Sequence, residues 1–259
     1  MKRLLELNVV LIFLFLYAPI LTLIVFSFNT SEPTAAWGPL SWYAKLFKNR
    51  DLWHACRISL IVAGCSTAIA TIIGTMAAFA VERYRFPFRL ALTRALFLPI
   101  IIPDIVMAIA LLTFYVQVHL PLGLVSIVVA HVAFSTSYVL IVVRARLKGF
   151  DRSFEEAALD LGANRWNTFR HITLLLIAPG VVGGALLAFT LSIDDFVITF
   201  FTAGVGYTTL PVRVYSTLKF GITPELNALS TLLLLNSICL VILSLKFQGG
   251  SGREVMNNE

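Results

Sequence analysis

Five stretches of this chain contain no Asp, Glu, Lys or Arg: the residues between Glu6 and Glu32, and residues 58–81, 105–143, 172–193 and 226–245. A hydrocarbon layer about 30 Å thick needs about 20 helical residues, each adding about 1.5 Å. Four of the runs therefore hold one span each. The 105–143 run is too long for one helix and carries a break at His119-Leu120-Pro121-Leu122-Gly123, so it divides in two, the first part beginning near Ala95. The expected fold is an all-α integral membrane protein with six transmembrane helices at about 8–28, 58–81, 95–117, 123–143, 173–200 and 226–245. Composition agrees: 58% of the residues are hydrophobic and 13% charged, more apolar side chain than one soluble core of this size can bury. A soluble globular protein, a disordered chain and a disulfide scaffold are excluded. Long unbroken runs, in place of alternating ten-residue segments, exclude a membrane β-barrel. Residues 1–247 form one transmembrane domain, and the polar, glycine-rich residues 248–259 read as a disordered tail.

The first run follows Lys2 and Arg3 as a signal peptide would, but it is longer than a signal's apolar core and no small-x-small cleavage site follows. It reads as a retained helix. With both termini in the cytoplasm, the inner segments carry Lys2, Arg3, Arg83, Arg85, Arg89, Arg94, Arg144, Arg146, Lys148, Arg152, Arg165, Arg170, Lys246 and Arg253. Only Lys45, Lys48, Arg50, Arg57, Arg213 and Lys219 lie outside. That asymmetry satisfies the positive-inside bias and accounts for the net charge of +6 without nucleic acid. Cys56, Cys65 and Cys239 show no metal spacing and read as packing residues. No nucleotide-binding loop, nucleophile elbow or close histidine pair is present, so neither a catalytic centre nor a metal site is expected on this chain.

One inner loop, residues 149–172, has structure of its own. Ser153 with Glu156 three positions later matches a capping box, so a helix is expected to begin at Ser153. Gly162 suits the left-handed position that ends it, and Asn164 suits the cap of a second helix running through Phe169 and Ile172. Ala157 and Ala158 would let another protein approach the backbone closely. Phe154, Leu161, Trp166 and Phe169 would offer apolar anchors, and Glu156 a fixed charge. An ordinary amphipathic surface hairpin is the alternative.

Glu156-Ala157-Ala158, Gly162 after three intervening residues and Ile172 after nine more resemble the EAA loop of bacterial ABC-importer permeases. That pattern usually closes with Ile-x-Leu-Pro; here Ile172-Thr173-Leu174-Leu175 lacks the proline, which comes only at Pro179. The resemblance extends through Pro103-Asp104-Ile105-Val106-Met107-Ala108, Arg146–Asp151, Leu191-Ser192-Ile193-Asp194-Asp195-Phe196, Thr209-Leu210-Pro211 and Pro224-Glu225-Leu226-Asn227-Ala228. These segments look like the spermidine/putrescine permeases, on the side of the C-type member of their two-permease heterodimer. The resemblance implies a type I ABC-importer permease fold in the bacterial inner membrane and a cytoplasmic coupling loop. It also implies that Glu156, Ala157, Ala158 and Gly162 touch a separate ATPase subunit. ATP and Mg would sit on two such ATPase copies, with no cofactor on this chain. Further implied partners are a second permease and a periplasmic or extracellular polyamine-binding protein docking on outer loops that include 37–53 and 204–224.

The acids within the apolar runs are the candidate pathway residues. A lone carboxylate in a membrane helix costs at least about 2.5 kcal/mol and usually faces a protein interior or a water path. Asp104 directly follows Pro103, with Pro99 one turn earlier; the two prolines remove two backbone donors and favour a broken helix lining a cavity. Asp194 and Asp195 are adjacent, so on a helix they point about 100° apart and at least one turns inward. Three negative charges would attract a cation and repel an anion, and Phe134, Tyr138 and Phe196 are candidates for cation–π contacts. The alternative is that these acids cap helix ends or pair with a partner subunit.

The reading is therefore a non-catalytic permease subunit that moves polyamines by alternating access. A related importer for phosphonate, iron or sugar is an alternative, as is a stand-alone secondary carrier, though no convincing three-plus-three repeat is found. An intramembrane aspartyl protease would need a Gly-x-Gly-Asp setting, and Ser192-Ile193 stands before the acids instead.

Overall fold

The computed structural model describes residues 2–28, 41–149, 151–219, 221, 225–235 and 238. Among them every regular element is helical. In chain order these are α1 (Lys2–Phe26), α2 (Ser41–Lys48), α3 (Arg50–Arg83), α4 (Arg89–Ile101), α5 (Asp104–Gln117), α6 (Leu124–Lys148), α7 (Ser153–Asp160) and α8 (Arg165–Thr168). A π-helical turn (Phe169–Thr173) follows, then α9 (Leu174–Asp194), α10 (Val197–Thr202), α11 (Leu210–Leu218) and α12 (Glu225–Leu235). Four helical stretches are long and apolar enough to cross a membrane, and the α4–α5 pair, bent by 113°, makes a fifth if the two are counted as one broken span. Most of the expected 226–245 span and the whole 248–259 tail lie outside the described residues.

Two of the expected spans differ in form. The one at 95–117 begins at Arg89 and breaks between Ile101 and Asp104, where Ile102 is extended and Pro103 follows it. The prolines withdraw backbone donors, and the residue before a proline is driven out of the helical region. The one at 173–200 is not a single helix. It begins as α8, continues through the π turn into α9, stops at Asp194, and resumes as α10 after extended Asp195.

The chain divides into two compact units, Met1–Trp53 with Val214–Glu259, and His54–Arg213. In the first, α1 is apolar on all sides and none of its span is buried within the chain, the pattern of a helix facing lipid. Its end is tied down by Ser27 Oγ, 2.7 Å from Tyr43 Oη, with the Phe28 ring 5.6 Å from that of Tyr43. Asn49 Nδ2 donates to Glu225 Oε1 at 2.9 Å.

In the second unit α6 is the central helix, with twelve buried side chains from Ser126 to Leu147. Ala78, Val139, Leu140, Val143, Leu147, Ile177 and Ala188 join α3, α6 and α9 in one core. Met107, Ala108, Tyr115, Ala130, Phe134 and Ile198 join α5, α6 and α10 in another. Among membrane helices lipid is as apolar as leucine, so association depends on close backbone approach and hydrogen bonds. The buried face of α3 accordingly runs Ala63, Ser66, Ala70, Gly74 and Ala78. A Cβ at Gly74 would lie 2.8 Å from Val139 Cβ and 2.9 Å from the Thr136 carbonyl, and one at Gly184 would lie 3.3 Å from Val139 Cα. Val139 is thus gripped from both sides.

Gly74→Val should overpack this contact, lowering stability by about 1–3 kcal/mol and the melting temperature of the detergent-solubilised protein. Gly64→Ala, where nothing lies within 4 Å, is the control that should leave melting unchanged or slightly raised, since alanine favours a helix interior over glycine.

Candidate functional site

The two helix breaks meet on one cavity of about 310 Å³, lined by Pro99, Asp104, Phe134, Tyr138, Leu191, Asp194, Asp195, Phe196, Val197 and Ile198. All six residues singled out from the sequence are in this lining, brought there by α5, α6 and the α9–α10 break. Asp104 is the first residue of α5, where the helix dipole favours an anion. Among the described residues no lysine or arginine is in the lining, so three formal negative charges face it. An anion entering would meet repulsion and a cation attraction.

The three acids are not equivalent. Asp195 is the anchor of the break: its Oδ2 accepts from Thr199 N at 2.7 Å and Thr199 Oγ1 at 2.8 Å, and its Oδ1 accepts from Ile198 N at 3.3 Å. Asp195 therefore does cap a helix end, supplying the donors that open α10 with an acceptor. His131 Nε2 lies 3.3 Å from the same Oδ2. Asp104 and Asp194 are exposed to the cavity side, and among the described residues neither carboxylate accepts a protein hydrogen bond.

His131, almost fully buried on α6, is the residue that sequence reasoning missed. Its Nδ1 lies 2.7 Å from Ser192 Oγ and its Nε2 2.9 Å from Thr199 Oγ1. The available signal was a lone histidine inside a charge-free apolar run, where an imidazole must find partners or pay for desolvation.

At the opposite end of α9 stands the hairpin of residues 151–173. Helix α7 begins at Ser153, as expected, but the capping box does not form. The N-cap position is Arg152, in helical conformation, so the Ser153 hydroxyl is already one residue inside the helix. Asp151 Oδ1 takes the Ser153 N–H instead, at 3.0 Å. That bond, together with the Ser153 side chain, holds the Asp151 carboxyl below the usual carboxylate range. The cap is therefore complete at neutral pH and is lost only as pH falls through that lowered value. Gly162 is left-handed at φ 89°, and Asn164 Oδ1 caps α8 through Asn167 N at 2.8 Å.

Glu156, Ala157 and Gly162 are exposed, with Phe154, Leu161 and Trp166 beside them. Ala158 instead is buried within its own chain. Phe169 turns inward as well, its ring edge-on to Phe79 at 5.2 Å, and so is no surface anchor. Glu155, unremarked in the sequence, ties the hairpin down: its Oε1 accepts from Arg83 at 3.0 Å and from Thr173 Oγ1 at 2.6 Å. Nearby, Arg144 Nε donates to Glu82 at 2.9 Å.

Glu155→Ala removes two hydrogen bonds to one carboxylate, each charge-assisted and of the class worth about 1.5–3 kcal/mol. Amide exchange across residues 153–173 should accelerate at least tenfold, with α6 unaffected. Unchanged exchange would show that the tie carries no load.

The family model described as "binding-protein-dependent transport system inner membrane component" matches residues 70–249. The chain is 43% identical over 235 residues to the spermidine/putrescine transport system permease protein PotC of Haemophilus influenzae, covering 90% of this chain and 91% of that protein. It is 42% identical over 231 residues to the putrescine transport system permease protein PotI of Escherichia coli, covering 86% and 82%. Among solved structures, a bacterial ABC transporter involved in alginate import superposes with a TM-score of 0.76 at 14% identity, covering 95% of this chain and 96% of that one. The methionine ABC transporter MetNI, in an inward-facing conformation, gives 0.60 at 17% identity, covering 83% and 95%. These last two speak for the fold. With the family model spanning most of the chain and relatives above 40% identity along nearly all of it, the chain belongs to the inner-membrane permease components of binding-protein-dependent ABC importers.

Proposed function

We propose that this permease moves polyamines, spermidine or putrescine, through a path to which the cavity between the two helix breaks contributes. The observation that carries the reading is the cavity's charge: three carboxylates and, among the described residues, no lysine or arginine in its lining. Separated carboxylates match the separated ammonium groups of a polyamine, and the relatives' names point to the same cargo. Asp104 and Asp194, whose oxygens accept no hydrogen bond from the described residues, receive ammonium groups. Phe134, Tyr138 and Phe196 supply ring faces for cation–π contact. A phosphonate or another anion fits this lining poorly.

The chain crosses the membrane six times with both termini in the cytoplasm, the orientation that the lysine and arginine asymmetry favours. It pairs with a second, homologous permease, since six helices supply half a path. Two copies of a separate ATPase subunit bind ATP and Mg and receive the hairpin. Glu156, Ala157 and Gly162 with Phe154, Leu161 and Trp166 form the contact surface, and Ala158 lets α7 lie close beneath it. A cargo-loaded binding protein docks outside and releases polyamine into the opened path, in the manner of alternating access.

Asp104→Asn and Asp194→Asn should each lower polyamine uptake about tenfold or more at equal protein levels, the equivalent of about 1.4 kcal/mol. Normal uptake by both would remove the cavity from the path. ATPase activity of the reconstituted complex with its binding protein tests the cargo: stimulation by spermidine or putrescine is expected. Stimulation by a sugar or an anion alone would refute the polyamine reading.

A further inference from the structure

A buried chain of side chains runs from α3 to the cavity: Ser66 Oγ to Ser192 Oγ at 3.1 Å, Ser192 to His131 Nδ1 at 2.7 Å, His131 Nε2 to Thr199 Oγ1 at 2.9 Å, and Thr199 to Asp195 Oδ2 at 2.8 Å. Ser66, Ser192, His131 and Thr199 are all at least nine-tenths buried, and they come from four helices. Their hydrogen positions are constrained by chemistry. A carboxylate only accepts, so the Thr199 hydroxyl proton is committed to Asp195. Thr199 Oγ1 can then only accept from His131, which fixes a proton on Nε2, shared between Thr199 and the Asp195 oxygen 3.3 Å away. This arrangement at Nε2 is the same whichever way the serine hydroxyls turn.

The consequence lies in the carboxylate. Three donors, the Thr199 backbone and hydroxyl and the His131 ring, converge on Oδ2, while Oδ1 has only the long 3.3 Å contact from Ile198 N. We infer that His131 and Thr199 are positioning residues for the transport path: they pin Asp195 through Oδ2 and keep Oδ1 available to an ammonium group of the cargo. The inference rests on the polyamine reading of the cavity. Neither residue is needed to explain the cap itself, because backbone donors alone would hold a helix N-terminus. The added side-chain donors hold the carboxylate rigid in its apolar surroundings. The ring is also a lever: it joins α6 to α9 through Ser192 and to α10 through Thr199, so the cavity wall at the break keeps its shape only while these helices hold their register.

The test uses the complete importer, reconstituted with its ATPase, second permease and binding protein, and measures spermidine uptake. Thr199→Val keeps the side-chain shape and loses the hydroxyl, Thr199→Ser restores it, His131→Phe removes both ring donors, and Asp195→Asn removes the charge. Thr199→Val and His131→Phe should lower maximal uptake about tenfold while the half-saturating concentration of loaded binding protein stays unchanged, and Thr199→Ser should return near the parent. Because both residues act through one carboxylate, Thr199→Val added to Asp195→Asn should cost nothing more, the signature of a coupled pair. Additive losses would overturn the inference, as would normal uptake by Thr199→Val beside an impaired Asp195→Asn. Loss of assembly in Thr199→Val and Thr199→Ser alike would also overturn it, by making the chain a requirement of folding. Normal uptake by Asp195→Asn would remove Asp195 from the cargo reading itself, and the inference with it.

Discussion

The tight contact of α3 and α9 on Val139 of α6 is the interaction on which the rest of the central unit depends. Glycine at positions 74 and 184 brings two backbones against one β-branched side chain, in an environment where apolar surface alone gives helices no reason to associate. Eight residues from that layer, on each of the same three helices, lie Ser66, His131 and Ser192. Eight residues is about 12 Å of helix, so the glycine layer and the hydrogen-bonded layer are two rungs of one ladder. The direction of counting also agrees: it rises along α3 and α6 and falls along α9, as expected if α9 runs antiparallel to both. The polar rung can exist because the glycine rung sets its spacing. A larger residue at position 74 would part the helices and strand a buried imidazole.

Charge then accounts for where the helices stop. A membrane-embedded carboxylate needs donors, and a helix interior has none to give because its backbone N–H groups are already bonded. Helix starts do have them. Asp195 stands at the start of α10 and takes its free donors. Asp104 opens α5 after the 113° bend. The second break and Asp195 thus explain each other, the first follows from Pro99 and Pro103, and together the breaks turn what would be two straight spans into the wall of a cavity.

Much of this was legible in the chain. The apolar runs located the four long membrane-length helices and the bent α4–α5 pair, Pro99 and Pro103 announced the first break, and Gly162 and Asn164 announced the hairpin's turn and second cap. The second break was not announced, since Asp194-Asp195-Phe196 contains neither proline nor glycine; only the hydrogen bonds made after folding reveal that Asp195 caps. The capping box at Ser153 misled for a related reason. Two residues, Asp151 and Ser153, compete for the cap, and motif spacing cannot tell which one the preceding turn delivers to it. His131 escaped notice because its partners, Ser66, Ser192, Asp195 and Thr199, are distant in sequence and ordinary in type. The small-residue face of α3, by contrast, was readable at helical spacing from Ala63 to Ala78.

Adjacent acids divide their labour twice in this molecule, once on α7 and once where α9 gives way to extended Asp195. Consecutive side chains point apart, by about 100° on a helix, so of two consecutive carboxylates one can be bound internally while the other stays open. In the hairpin Glu155 is tied to Arg83 and Thr173, and Glu156 is exposed. At the cavity Asp195 is tied to Thr199 and His131, and Asp194 is exposed. Between these pairs the chain from Arg165 to Asp194 is helical without interruption for 30 residues, about 45 Å at an α-helical rise. Its lower end is held by Thr173 on Glu155 and by Phe169 on Phe79, its upper end by Ser192 on His131. Under the importer reading, an ATPase pressing on the exposed member of the first pair would move a rod whose far end carries the exposed member of the second.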